Sequence, residues 1–454
     1  MSPSAAAIPF RDHAAQAVRN SSLRAAMRNA TGVFSVKRSE AVSAVPLEDW
    51  RERASQMRLH VLERLDEYVD RFAANATRAG ALVHKADDAQ TAREAISLIL
   101  KDHGIDRVVK SKSMVSEEIH LNDSLEEQGI RVVETDLGEY IIQIAGEHPS
   151  HIIVPAIHKD RRQVGKLFAE KLGVEYSDDP AALTKIAKKV LREEFLAARA
   201  GISGANFAVA DSGSLVIFTN EGNGRMCTTL PPLNIAVLSI EKMIPSLADL
   251  PTFMRLLPRS ATGQMLTSYV SVITGARKTG ESTGAKELHI VLVDNGRSRI
   301  VRGEYREMLK CIRCGACLNA CPVYRMVGGH AYDSTYPGPM GIVLTTLLDG
   351  MEHAHPLLDA TTLCGACGDV CPVKVPLPAL LRRLREERVE RGFTPRSEHL
   401  AMAGFAALTS SPSLFSLGQT AARIFRPVAG MIAGENIVGR LHRPAARTFR
   451  RRIS

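Results

Sequence analysis

The sequence predicts an α/β protein with a separate cysteine-rich module, and three observations lead to that prediction. The chain has 454 residues, more than one ordinary hydrophobic core accommodates. Between residues 80 and 295, short apolar runs alternate with amphipathic stretches, as in a parallel sheet covered by helices. Seven of the eight cysteines fall within residues 311–371. We therefore divide the chain into four predicted regions, which are 1–79, 80–295, 296–392 and 393–454.

The first region is predicted to be helical. Pro46 precedes a stretch with apolar residues at helical spacing, and Gly80 follows that stretch, which matches the usual start and stop signals of a helix. The apolar residues in this stretch are Met57, Val61, Leu65, Val69 and Phe72.

The second region alternates predicted strands and helices, and the strands are apolar nearly throughout, as expected for strands buried on both faces. The predicted strands are 81–84, 105–110, 130–135, 151–157 ("HIIVPAI"), the paired strands 206–211 and 214–220, then 234–240 and 287–294. The predicted helices are 88–104, 113–129, 159–173 and 180–201. This order predicts one α/β domain with a parallel or mixed sheet.

The third region has no strand pattern, many Gly and Pro residues, and a charged helix predicted at 380–392. Its cysteines begin with "CIRCGACLNACP" at 311–322, the spacing of a bacterial iron–sulfur run in two-cluster ferredoxins. The stretch "LCGACGDVCP" at 363–372 repeats most of that motif. The third region is therefore predicted to be an α-helical domain that binds two clusters.

In two-cluster ferredoxins the last cysteine of each run binds the cluster of the other run. This rule predicts a first cluster held by Cys311, Cys314, Cys317 and Cys371. It predicts a second cluster held by Cys321, Cys364 and Cys367, which is one thiolate short of four.

Alignment of the two motifs shows where the thiol is missing, because Thr361 occupies the position that corresponds to Cys311. Three thiolates suit a [3Fe-4S] cluster, or a [4Fe-4S] cluster whose last iron takes a non-cysteine ligand. The nearby candidates for that ligand are Thr361, Asp359, His355, Asp369, and water or hydroxide.

Zinc is the alternative to iron, because two Cys-x2-Cys pairs can build a zinc site. The additional cysteine before a proline in each motif favours iron–sulfur chemistry over zinc. Cys227, which stands apart from the other cysteines, is interpreted as a small buried apolar residue.

Two glycine-rich stretches, "GISGAN" around Gly201 and "NEGNGR" at 220–225, do not fit the context of a dinucleotide-binding loop. The second follows a predicted strand, where it can be a plain turn or can bind an anion with its N–H groups and Arg225.

The chain resembles the lactate utilization protein B family over nearly its whole length. The resemblance rests on "KSKSMVSEEIHLN", "VVETDLGEYIIQ", "PSHIIVPAIHK" and "SGSLVIFTNEGNGR", and on both cysteine motifs. It implies an α/β domain similar to the sugar-isomerase and CoA-transferase-like fold, two cubane clusters bound by the seven cysteines, and work beside two further proteins, A and C.

The α/β domain offers a candidate binding cleft at the strand ends, where open α/β sheets bind ligands. A lysine or arginine there would suit a carboxylate such as lactate, whereas the alternative is a set of solvated residues and a helix-capping acid. The candidate residues are Lys110, Lys112, Ser113, Glu117, Glu134, Glu139, Asn220, Glu221 and Arg225.

The net charge of +9 is concentrated at the end of the chain, since residues 421–454 hold eight arginines against one acid, a net charge of +7. Such a tail can dock on acidic protein or on a membrane surface, or can be a solvated, partly disordered terminus. No recognised nucleic-acid-binding module accompanies it, so no specific nucleic acid is expected.

The cysteine usage and the lack of a signal-peptide pattern at the start of the chain predict a cytoplasmic protein, with peripheral membrane association if the tail docks there. The leading functional hypothesis is an electron-relay subunit of an L-lactate-oxidising assembly. The alternatives are a stand-alone redox enzyme that uses the cleft or an open cluster iron, and a non-redox regulator that responds to iron or oxygen.

Overall fold

A computed structural model describes residues 6–433 of the chain. The chain divides into two compact units between Arg385 and Glu386. The larger unit contains both sheets and all seven clustered cysteines.

A six-stranded parallel sheet with the order β1-β10-β7-β4-β2-β3 forms the centre of the α/β region. Helices cover its two faces with separate apolar clusters, as in other doubly covered parallel sheets. The strands are β1 (Leu82–Ala86), β2 (Arg107–Lys110), β3 (Arg131–Glu134), β4 (Ala200–Gly204), β7 (Leu233–Ser239) and β10 (Glu287–Val293). The predicted α/β class is therefore confirmed.

A second, four-stranded sheet has the order β8-β5-β6-β9 and is mixed. The predicted pairing of the two strands around 206–220 is confirmed, because β5 and β6 are antiparallel neighbours. The strands are β5 (Phe207–Val209), β6 (Ser214–Thr219), β8 (Met243–Ile244) and β9 (Tyr269–Ile273).

Two predictions in the α/β region are wrong. Residues 151–157 form turns and bends rather than a strand, and the predicted helix 113–129 is two helices separated by His120, whose φ of 50° interrupts the helix. The glycine-rich "GISGAN", for which no strand is predicted, contributes residues 201–204 to the central strand β4. A Cβ on Gly201 would lie 1.9 Å from the Cys227 carbonyl oxygen, so the strand needs glycine at this close approach.

The helices before the cysteine region include the predicted N-terminal helices and those that cover the sheet. Asp160 and Gln163 form a capping box at the start of the helix Arg161–Leu172. The helices are α1 (Phe10–Arg19), α2 (Ser21–Ser43), α3 (Leu47–Glu63), α4 (Leu65–Arg78), α5 (Ala89–Asp102), α6 (Met114–Glu118), α7 (Leu121–Glu126), α8 (Leu137–Ala145), α9 (Arg161–Leu172), α10 (Pro180–Ala197), α11 (Asn223–Thr229), α12 (Leu250–Ala261) and α13 (Arg297–Arg302).

The cysteine region consists of short helices and turns without a strand among its described residues, as predicted. Its helices are α14 (Ala316–Ala320), α15 (Tyr324–Val327), α16 (Gly338–Asp349), α17 (Met351–Ala354), α18 (Ala366–Asp369) and α19 (Leu377–Glu390).

The N-terminal helices pack against the cysteine region rather than standing apart from it. The Arg11 guanidinium is 2.8 Å from the Asp359 carboxylate, and the Ile8 N–H donates to the His353 carbonyl at 3.0 Å. Arg51 donates to the carbonyl of Cys371 at 2.9 Å. Residues from Ile8 to Arg51 therefore contribute to the wall around the cysteines.

The smaller unit contains α20 (Arg396–Thr409) and α21 (Pro412–Ala433). Among the described residues, no single helix is long and apolar enough to cross a membrane. The pair Arg396–Thr409 and Pro412–Ala421, bent by 119°, passes that test by length and composition alone. The basic tail predicted at 421–454 lies mostly outside the described residues, since residues 434–454 are not described.

Candidate metal centre

The first group of thiols lines one cavity in the larger unit. Cys311, Cys314 and Cys317 come from the first motif, and Cys371 comes from the second. Three of these cysteines are buried, and Cys311 is partly exposed. The fold therefore brings together the four thiols that the crossed pattern assigns to the first cluster.

The second group of thiols lines a separate cavity. Cys321 of the first motif lies here with Cys364 and Cys367 of the second, and Cys364 is exposed. Among the described residues that line this cavity, Thr361 is the one candidate from the non-cysteine set. Asp359 instead pairs with Arg11.

The two motifs share one backbone conformation. Arg313 and Leu363 both have a positive φ, at 58° and 53°, and Gly315 and Gly365 follow at 75° and 90°. The Arg313 N–H donates to Cys311 Sγ at 3.4 Å. The Leu363 N–H donates to the Thr361 hydroxyl oxygen at 3.1 Å, so Thr361 occupies the position that Cys311 has in the first motif.

The donor set fits iron–sulfur clusters. Each cavity is lined by three or four thiols on tight turns of the Cys-x2-Cys type. Burial raises the pKa of the Cys314 and Cys317 thiols, and coordination to a metal deprotonates a thiol outright.

A buried network of ion pairs supports the first motif. Arg313 lies 3.1 Å from Glu241, which lies 2.7 Å from Arg297, which in turn lies 2.6 Å from Glu118. Burial opposes ionisation of Glu241, but Arg297 and Arg313 outweigh it and lower its pKa to about 2. Sequence reasoning missed these residues, because they are far apart in the chain and belong to no motif.

Arg58 holds the backbone that immediately precedes the first motif. Its guanidinium is buried and donates to the carbonyls of Leu309 and Lys310, immediately before Cys311, at 2.8 and 3.2 Å. It also donates to the carbonyl of Met243 in β8 at 2.8 Å. One side chain from α3 therefore connects the second sheet to the first motif.

The apolar segment 150–154 covers the first cavity. Ile152 lines that cavity, and the Ser150 carbonyl accepts a hydrogen bond from the Tyr324 hydroxyl at 2.7 Å. A Cβ on Gly315 would lie 3.1 Å from the His151 ring and 3.2 Å from Ile153. This packing explains why "HIIVPAI" is apolar although it is not a strand.

The predicted binding residues meet in part at the carboxyl ends of β2 and β3, beside a cavity of about 600 Å³, within the usual size range of ligand sites. Three of them, Glu117, Glu134 and Glu139, line that cavity. The strand register places Lys110 beside Glu134. We call this cavity the acidic cleft, because the charged side chains that line it are carboxylates and histidines.

The lysines of this set are engaged in ion pairs. Lys110 Nζ lies 2.6 Å from Glu134 and 2.9 Å from Glu117, and Lys112 Nζ lies 3.6 Å from Glu139. Burial alone would lower the pKa of Lys110, but the two glutamates hold it above its usual value. Burial raises the pKa of Glu139 to about 8.

The remaining predicted residues lie outside the lining of the acidic cleft. Ser113 caps α6 by accepting from the Ser116 N–H at 3.3 Å. Asn220 donates to Gln264 at 2.8 Å, Glu221 accepts from the Leu137 N–H at 3.4 Å, and Arg225 is exposed on α11. The "NEGNGR" stretch is therefore a turn leading into a short helix, bonded through its own side chains.

The buried and isolated Cys227 behaves as the sequence predicts. Its side chain is fully buried, and its Sγ lies 3.3 Å from the Thr135 hydroxyl. Burial raises the pKa of this thiol to about 12, so it stays protonated.

Comparison with known families gives a class that agrees with this geometry. Residues 69–293 match the LUD domain, and residues 307–375 match the 4Fe-4S dicluster domain. The protein is therefore an iron–sulfur protein in which a LUD domain precedes a dicluster domain. A solved DUF162 family protein from Deinococcus radiodurans is 13% identical, with a TM-score of 0.30 over 50% of this chain and 98% of that one, which is too weak to bear on the fold.

The curated relatives are much more similar. Lactate utilization protein B of Bacillus velezensis is 45% identical over 90% of this chain and 87% of its own. The same-named protein of Bacillus subtilis is 45% identical over 90% and 86%. An uncharacterized electron transport protein of Escherichia coli, YkgF, is 44% identical over 91% and 87%. The chain belongs to the lactate utilization protein B family.

Proposed function

We propose that this chain is the iron–sulfur electron-transfer component of an assembly that oxidises L-lactate to pyruvate. The family, the dicluster domain and the names of the relatives support an electron-transfer role in lactate utilization. The observation that carries the proposal is the pair of thiol-lined cavities, one with three of its four cysteines buried and one in which Cys364 is exposed.

The two cavities would hold two clusters. Cys311, Cys314, Cys317 and Cys371 provide four thiolates for a [4Fe-4S] cluster, and Cys321, Cys364 and Cys367 provide three for a [4Fe-4S] or [3Fe-4S] cluster. Bound clusters of this kind supply reversible one-electron transfer. The chain's own residues position the thiols and set the charge and water access around them.

The surroundings of the two cavities suggest different tasks. Arg313 places a buried positive charge beside the first group, and Ile152 and Arg51 pack against that group. Residues 362–364 are exposed beside the second group. Solvent exposure and local charge both shift cluster potentials, so we assign exchange with partner proteins to the exposed side.

The partners in this proposal are lactate utilization proteins A and C, and the location is cytoplasmic. The basic tail at 421–454 is proposed to dock on an acidic protein or membrane surface. Removing it should weaken assembly at low salt more than at high salt, because screening suppresses such attraction. Assembly that does not change on its removal at low salt would assign the tail no docking role.

A stand-alone enzyme acting on a small organic acid in the acidic cleft is the second candidate. The cleft lies at the strand ends and has the volume of a ligand site. It takes second place because Lys110 and Lys112, the cations that would bind a carboxylate, already pair with glutamates. The regulator hypothesis has no observation in its favour among the described residues.

Anaerobic purification tests the proposal. We expect about seven to eight irons per chain from the two-cluster pattern, co-purification with proteins A and C, and dye reduction by the assembly on addition of L-lactate. Stoichiometric zinc without charge-transfer absorbance would overturn the cluster assignment. A loaded chain that reduces the dye with L-lactate in the absence of partners would replace the relay with the stand-alone enzyme.

A further inference from the structure

Three metal-binding side chains converge at the rim of the acidic cleft, away from the cysteines. Glu147, His158 and His330 each offer one ligand atom, and these atoms all lie within 4.8 Å of one another. The two imidazole rings are 4.5 Å apart between centroids. Glu147 and His158 belong to the α/β region, whereas His330 follows the first cysteine motif.

The hydrogen bonds at this point leave lone pairs available. His330 Nε2 lies 2.7 Å from the His148 carbonyl, so it carries the proton and its Nδ1 keeps a lone pair. A carbonyl acceptor on the far nitrogen is the usual way in which a metal-binding histidine is oriented.

His158 faces Glu147 through Nε2. This nitrogen lies 2.7 Å from Glu147 Oε2, so it is the ring atom that an ion shared with Glu147 would bind, in the tautomer that carries the proton on Nδ1. Nδ1 lies on the other side of the ring, where it is buried without a hydrogen-bond partner among the described residues. The side chain is only 10% exposed, so its surroundings hold the ring beside Glu147.

Glu147 retains capacity as well, because each carboxylate oxygen has two lone pairs. Lys159 Nζ lies 2.5 Å from its Oε1, and His158 Nε2 lies 2.7 Å from its Oε2. Glu147 and His330 also line the acidic cleft, so one side of the cluster faces open space. Two histidines, one glutamate and an open position form the donor set of a catalytic zinc-type site.

We propose that Glu147, His158 and His330 bind one divalent transition-metal ion that is separate from the iron–sulfur clusters and has a free coordination position toward the acidic cleft. The mixed nitrogen and oxygen donors favour zinc or a similar ion over magnesium or calcium. The ion would hold the segment after the first cysteine motif against the α/β region, and it would offer a Lewis-acid position to a ligand with an oxygen donor. This inference does not depend on the electron-transfer role.

The test uses the full chain, purified anaerobically with its clusters intact, incubated with Zn²⁺ and freed of unbound metal by gel filtration. We expect one zinc per chain with the iron content unchanged. Zinc K-edge absorption should show nitrogen or oxygen ligands at about 2.0–2.1 Å rather than sulfur at about 2.3 Å. Sulfur ligation would place the zinc at vacated cysteines and overturn the proposal.

Variants locate the ion. His158→Ala and His330→Ala should each weaken zinc binding at least tenfold, whereas His148→Ala should keep it, because His148 lines the same cleft and contributes only its backbone carbonyl. If a histidine variant loses iron, Glu147→Gln decides, since the amide keeps the shape and removes the charge. Equal zinc binding in all variants, or equal loss in His148→Ala, would contradict the site.

Discussion

The two cysteine motifs have the same backbone and opposite surroundings. Arg313 and Leu363 occupy equivalent positions with nearly the same φ, yet Arg313 is buried against Glu241 and Leu363 is 36% exposed. Cys311 and Thr361 accept equivalent N–H groups. A duplicated motif therefore fixes the turn geometry, while the packing around each copy determines charge and water access.

The largest expected effect tests the crossed assignment of the thiols. Cys321→Ala should leave the second group with two thiols and lose its cluster, so that iron falls to about four per chain. Cys371→Ala should leave the first group with three thiols, as many as the second group has naturally, and retain more iron. Anaerobic iron analysis with electron paramagnetic resonance measures both.

If each motif instead bound its own cluster, Cys371 would belong to the three-thiol group, and Cys371→Ala would lose more iron than Cys321→Ala. Cys227→Ala is the control and should keep both clusters, since Cys227 is buried in the α/β region against Thr135.

The next effect concerns the charge beside the first motif. Arg313→Leu copies the residue of the second motif, whose backbone already accepts leucine at this φ. The substitution leaves Glu241 buried with one cation fewer, which should lower the free energy of unfolding by about 3 kcal/mol. It should also lower the reduction potential of the first cluster, because it removes a positive charge beside it. Anaerobic urea unfolding and potentiometric titration measure the two changes.

Leu363→Ala is the matched variant of Arg313→Leu and should change stability by less than about 0.5 kcal/mol, as exposed substitutions usually do. Equal effects of the two variants would show that the ion-pair network does not distinguish the motifs.

Substituting the equivalent glycine of each motif should give a smaller difference in stability between the motifs. Gly315→Ala and Gly365→Ala both place a side chain at positive φ, which costs about 1–2 kcal/mol. Gly315→Ala also brings a Cβ to 3.1 Å from the His151 ring, whereas a Cβ on Gly365 meets nothing within 4 Å. The first variant should therefore be the less stable in urea unfolding, and an equal loss would mean that segment 150–154 moves aside freely.

The smallest effect on stability is expected for Thr361→Cys. The substitution should supply a fourth thiolate to the second group, because Thr361 lines that cavity in the position of Cys311. An added thiolate brings negative charge and should lower the potential of that cluster without altering the first. Thr361→Ser is the control, and potentials that match between the two variants would show that residue 361 does not reach the cluster.

The sequence was sufficient wherever the signal is local. Three predictions that rest on neighbouring residues are confirmed. These are an iron–sulfur domain from the cysteine spacing, the pairing of β5 with β6, and the α/β class. Segment 151–157 has the pattern of a strand for a tertiary reason, because Ile152 lines the first cavity and Ile153 packs beside Gly315.

Contacts between distant residues had no such signal. Glu241 pairs with Arg297 and Arg313 only because the fold brings a 3₁₀ turn beside the cysteine region. Strand order alone predicts the candidate binding residues at the strand ends. It does not predict that carboxylates outnumber cations in the lining of the cleft or that histidines lie at its rim, because the cysteine region forms the other wall.

The packing of the N-terminal helices against the cysteine region has a consequence for synthesis. Phe10 packs on Tyr332, and Arg11 bonds to Asp359, 348 positions later. At about 5–20 residues per second, translation from one end of that separation to the other takes on the order of 20–70 s. Throughout that interval the nascent chain exposes Ile8 and Phe10, which are buried in the folded protein and whose partners have not yet been made, so we expect it to be a substrate for ribosome-associated chaperones.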